Sequence, residues 1–107
     1  MAQITIRALL FQSGQWWIAQ CLEYDLATAA KRLEDLPAEL ERFLSVQIAG
    51  SLEIGVEPFE GLPPAPRRFW RRYEEAQQNP RSAIEERQIT VDGASAIGAT
   101  VQALIAA

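Results

Sequence analysis

Histidine is absent from this chain of 107 residues, and cysteine occurs once, at Cys21. The first absence removes the commonest general base near neutral pH, the Ser-His and Cys-His nucleophile pairs and most transition-metal sites. Any enzyme here would have carboxylates alone to work with. The single thiol excludes an intrachain disulfide and a multi-cysteine zinc site, and an unpaired cysteine suits a reducing compartment, so a cytoplasmic location is expected. No apolar stretch reaches bilayer-spanning length. Nor is there a basic start followed by an apolar run and a small-residue cleavage site, so neither secretion nor membrane insertion is indicated. Basic side chains are outnumbered, 10 Lys and Arg against 14 Asp and Glu, for a net charge of -4. That balance argues against attraction of the whole surface to nucleic acid, and leaves room for a local basic patch.

Apolar residues make up 49% of the chain and charged ones 22%, the balance of an ordinary globular protein. A chain of this size fits one domain and buries roughly two thirds of the surface its unfolded form exposes, enough for a core without metal or disulfide. No internal repeat is present, and no metal or cofactor is expected.

Residues 4 to 12 alternate with a two-residue period: Ile4, Ile6, Ala8 and Leu10 point one way, Thr5, Arg7, Leu9 and Phe11 the other. Ser13 and Gly14 supply a tight turn into a second run, residues 15 to 22, rich in aromatic and branched side chains. On that run Trp17, Ala19 and Cys21 share one face and Trp16, Ile18, Gln20 and Leu22 the other. The segment from Leu26 to Ala30 is a candidate third strand. From about Glu34 the period becomes helical, with Leu36, Leu40, Phe43, Leu44, Gln47 and Ile48 on one side. Pro37 belongs in the first turn, Glu34 and Asp35 complement the positive end of the dipole, and Gly55 is placed to end the helix in the left-handed region.

Residues 55 to 66 form a proline-rich connector, and residues 66 to 78 read as a second helix with Phe69, Tyr73 and Ala76 as its apolar stripe. Beyond Pro80 the signal fades. Gln88 to Val91 reads as a possible short strand, and residues 93 to 107 carry no charge, so 81 to 107 is left as an uncertain tail: a loosely docked helix, a frayed end or part of the same domain. The expectation is an α+β domain over residues 1 to 80: an antiparallel hairpin or three-stranded sheet on one long amphipathic helix, plus a second, C-terminal helix. Because both faces of the hairpin carry apolar bulk, a homodimer is expected, with Trp16, Trp17 and Phe11 at the interface.

Residues 3 to 50 resemble the HicB-like antitoxin fold. The resemblance rests on the strand ITIRALLFQ, the turn SGQ, the run WWIAQCLEYDLATAA in place of the family's W-x-A-x-x-P-x-L-x-G-C stretch, and the helix LEDLPAELERFLSV, with Trp17 and Ala19 matching best. Leu22 to Asp25 replace the family's proline turn, and Ala30-Lys31-Arg32 its Gly-Asp-Thr helix start. The resemblance implies a ββ(β)α unit that dimerises and, in true antitoxins, covers a small ribonuclease toxin. Such antitoxins usually add a C-terminal DNA-binding module; here the helix RRFWRRYEEAQQ lacks a partner helix at helix-turn-helix spacing.

Arg67, Arg68, Arg71 and Arg72, interleaved with Phe69, Trp70 and Tyr73, are the candidate anion or nucleic-acid binding residues, since guanidinium groups beside stacking rings suit phosphates and unpaired bases. The bland reading pairs these arginines with acids of the same chain or a dimer mate, Arg71 with Glu75 among them. Glu23 with Asp25, and Glu34 with Asp35, are carboxylate pairs better explained as surface residues than as catalysts. Cys21 reads as packed rather than reactive. The function expected is therefore a noncatalytic protein-interaction module, a HicB-like antitoxin relative with a small toxin-like protein as partner and no membrane role. The alternative is a small nucleic-acid-binding protein using the arginine and aromatic helix.

Overall fold

A computed structural model describes residues 2 to 91 and 97 to 106. Its elements run β1 (Ala2–Ser13), β2 (Trp16–Cys21), β3 (Ala27–Ala30), a 3-10 turn (Leu33–Asp35), α1 (Leu36–Ile54), α2 (Arg67–Gln77), β4 (Ala83–Val91) and β5 (Ile97–Ile105). The strands form one five-stranded sheet in the order β3-β2-β1-β5-β4. Neighbours are antiparallel except β1 and β5, which run parallel.

The two-residue period of β1 and β2 divides the sheet as expected. Leu10 lies opposite Ala19 and Ala8 opposite Cys21. On this face Ile6, Ala8, Leu10, Ala19 and Cys21 meet Leu36, Leu40, Leu44 and Ile48 of α1 in the main core. Each of the leucine and isoleucine side chains removed from water contributes roughly 1.5 to 3 kcal/mol. Helix α1 starts with Pro37 in its first turn. It stops at Gly55, whose φ of 77° is left-handed. The Gly55 N–H donates to the Leu52 carbonyl and the Val56 N–H to the Ser51 carbonyl, the paired bonds of a Schellman motif.

Of the readings left open for the tail, the structure shows it as part of the same domain, with a strand that includes Gln88 to Val91, rather than as a docked helix or a frayed end. Residues 83 to 91 and 97 to 105 are strands, and β5 lies inside the sheet, paired along its whole length with β1 from Ala2↔Ile97 to Leu10↔Ile105. Positions 92 to 96 and 107 of that expected tail lie outside the described residues. The local pattern is weak because Ala99 and Ala103, both buried, are small where α1 covers the sheet. What recruits this segment is a partner strand nearly the whole chain away.

A correction concerns the other sheet face. There Leu9, Phe11, Leu22 and Leu104 are covered by Ala65, Tyr73 and Ala76 of the same chain. Phe11 is 8% exposed and its ring lies 6.0 Å from that of Phe69, so it sits in a second core rather than at an interface with another copy. Elsewhere this face carries a polar chain, in which Gln3 donates to Thr100 and Thr100 to Gln88, together with the exposed apolar side chains of Trp16 and Ile84. Of the tryptophan pair, Trp17 packs against the main core, while Trp16 is 46% exposed with the Lys31 ammonium 5.6 Å from its ring.

The proline-rich connector, expected to be extended, first makes two turns, with the Glu60 N–H donating to the Glu57 carbonyl and the Leu62 N–H to the Phe59 carbonyl, and it is anchored. The Asp25 N–H donates to the Pro63 carbonyl and the Ala65 N–H to the Leu22 carbonyl, which delivers α2 to the second face. Phe59 adopts a φ of 63°, uncommon for a bulky residue, and is held there by burial in the main core and by the Tyr24 ring 4.7 Å away. No described helix is long and apolar enough to cross a membrane.

Candidate binding surface on the second helix

Helix α2 has one apolar stripe, and its docking decides where every charge goes. With Tyr73 and Ala76 buried and Phe69 packed beside them, the 100° step per residue sends Arg67, Trp70, Arg71 and Glu74 to one flank and Arg68, Arg72 and Glu75 to the other. All four arginines are exposed. Arg68 lies over its neighbour Phe69 at 4.6 Å and Arg72 over Phe11 at 4.3 Å, so this pair helps to cover the second core. The other pair, Arg67 and Arg71, lines an open groove of about 510 Å³ with Pro64, Ala65, Trp70 and Glu74.

Trp70 is fixed on several sides. Its indole N–H donates to the Ala65 carbonyl at 3.2 Å, and the Arg7 guanidinium lies 4.7 Å from its ring centre. Arg7 is itself held by Glu23, which accepts from the Arg7 Nε and from the Arg7 backbone N–H, each at 2.7 Å. The chain Glu23, Arg7, Trp70 therefore joins β1 and the segment after β2 to α2. Sequence reasoning missed Arg7 and Glu23 as parts of this surface; the available signal was a lone arginine between apolar positions of a strand.

Ion pairs among the described residues join Arg7 to Glu23, Arg32 to Glu34 and Asp35, Arg42 to Glu39, and Arg87 to Glu41. None involves Arg67, Arg68, Arg71 or Arg72. Pairing with the described acids of the chain is thus not realised within one copy, and Arg71 makes no such contact with Glu75. The two carboxylate pairs are engaged elsewhere. Glu23 holds Arg7, Asp25 accepts from the Gln20 amide at 2.9 Å, and Glu34 and Asp35 both face Arg32. No family model, no curated protein and no solved structure matches the chain.

Burial, with Glu23 adding to it, pushes the Cys21 thiol up to about 12, so at neutral pH this sulfur stays protonated inside the core. Burial also raises Tyr73, against a smaller lowering from Arg7. Its side chain belongs to the second core beneath α2. What remains at the surface of α2 is a flank with two arginines, one clamped indole and one carboxylate.

Proposed function

We propose that the protein is a noncatalytic interaction module, related to the HicB-like antitoxins in its first half, that works through the outward face of α2. The observation that carries this reading is that face: four exposed arginines, none paired with a described acid of the same chain, on a helix whose apolar side is committed to the sheet. Like charges one turn apart repel, and arginines in the first turn oppose the helix dipole by roughly 0.3 to 1 kcal/mol each, costs that an anionic partner offsets. The β-β-β-α order of residues 2 to 54 supports the HicB-like part, with a small toxin-like protein as partner. A cytoplasmic location belongs to the same proposal and rests on the buried free thiol. A homodimer through the exposed Trp16 remains part of the proposal, although α2 covers Phe11 and much of the apolar face that suggested one.

A second reading, nucleic-acid binding through the same residues, is favoured by Trp70 beside Arg67 and Arg71 in one groove. The test of the module is recovery of the tagged protein from its own cells at low salt, beside the variant Arg67→Ser, Arg68→Ser, Arg71→Ser and Arg72→Ser. Wild type is expected to retain a partner, protein or nuclease-sensitive, that the folded variant loses. Identical material on both, or none on wild type, sinks the proposal.

A further inference from the structure

We infer that the groove beside α2 is a binding site for single-stranded nucleic acid, in which an unpaired base stacks on Trp70 while Arg67 and Arg71 hold successive phosphates. The inference rests on α2 being the working face and names its occupant. Three features of the groove lead there. Arg67 and Arg71 are one turn apart on the same flank, about 6 Å along the helix axis at 1.5 Å per residue, which sets two cations in a row rather than one point charge. Trp70 stands between them in the chain and lines the same groove, and its ring is locked by the Ala65 carbonyl and by Arg7 before any ligand arrives. A stacking partner ordered in advance loses little freedom on binding. Glu74 closes the row, so an anionic track is favoured past Arg67 and Arg71 and opposed one turn further on.

The competing occupants use only part of this arrangement. An acidic peptide presents carboxylates to the arginines and has no use for a fixed indole. A duplex presents phosphates but keeps its bases stacked inside, out of reach of Trp70. An unpaired strand uses both the charges and the ring, because every base has a π face whatever its identity. Little sequence preference is therefore expected, and no preference for ribose over deoxyribose is built into the groove.

The test is fluorescence anisotropy of short labelled oligo(U) and oligo(dT), with a duplex and an oligoglutamate peptide as competitors. Two phosphate contacts predict a logarithmic salt slope of about -1.4, roughly a sevenfold weakening between about 50 and 200 mM salt. Arg67→Ser with Arg71→Ser, both on the surface, is expected to flatten that slope. Trp70→Leu is expected to weaken binding roughly tenfold with the slope unchanged. Because Trp70 also packs on the second core, circular dichroism is recorded for it, and the arginine variant alone decides if it unfolds. Binding that ignores the arginine pair, or a duplex or oligoglutamate that competes as well as the single strand, overturns the inference. If oligoglutamate binds through the same arginines, the module reading stands with a protein partner. If nothing binds and the cellular recovery also fails, both fall.

Discussion

At the residue scale, three side chains report directly on the packing. Phe59 occupies the left-handed region because its ring fills the main core beside Tyr24, so removing the ring loses burial and gains no relief of backbone strain. Phe59→Ala is expected to cost about 3 to 5 kcal/mol, read as a lowered denaturant midpoint with little change in slope. Cys21 gives a pH dependence whose sign is fixed by its raised value. The unfolded thiol ionises near 9.0 and the folded one near 12, so between them the unfolded state has released a proton that the folded state retains. Stability therefore falls as pH rises through this window, and the fall is expected to be shallower in Cys21→Ala. A thiol reagent at pH 8 should label the native protein far more slowly than the unfolded one. Glu23 is the residue on which Arg7 and, through it, Trp70 depend. Since Arg7 is about 40% exposed, solvent screens the pair, and Glu23→Ala is expected to cost only about 1 kcal/mol while shifting the emission of Trp70.

At the element scale, α1 contains two glycines with opposite roles. Gly50 lies inside the helix with open space where a Cβ would go, whereas Gly55 carries the left-handed turn that ends it. Gly50→Ala is expected to stabilise the protein by roughly 0.5 to 1 kcal/mol and Gly55→Ala to destabilise it by about 1 kcal/mol. Thermal unfolding of the two variants distinguishes them by sign. Helix α2 shows how much of a surface follows from one stripe. The spacing of Phe69, Tyr73 and Ala76 was legible in the sequence, and it assigned the buried side correctly. The same 100° step set the flank of each arginine, but that Arg72 would cover Phe11 and that Arg7 would reach Trp70 depended on the docking of α2 against β1. The absence of ion pairs to these arginines among the described residues was equally out of reach, because the chain has 14 acidic residues and most of their positions were set by other elements.

At the scale of the whole molecule, the decisive contact is β1 with β5. A chain ending after Pro80 would lack β4 and β5 and leave one long edge of β1 unpaired, with the Ile6, Leu10 and α1 side chains deprived of Val101 and Ala103. Such a truncation is expected to lose cooperative unfolding and the dispersed amide signals of the full protein. A frayed tail would leave both unchanged. The sheet is thus enclosed in layers, with α1 on one side and α2 on part of the other.

Local alternation and helical spacing were sufficient by themselves to place β1, β2, α1 and α2, to sort the hairpin residues into two faces, to choose the inward side of each helix, and to put Gly55 at a helix end, because these signals arise between residues a few positions apart. The parallel pairing of β5, the enclosure of Phe11 and the clamp of Glu23 and Arg7 on Trp70 were decided only in three dimensions. Each depends on groups distant in the chain, and β5 in particular carries small side chains whose preference for a strand is weak until a neighbouring strand supplies its hydrogen bonds.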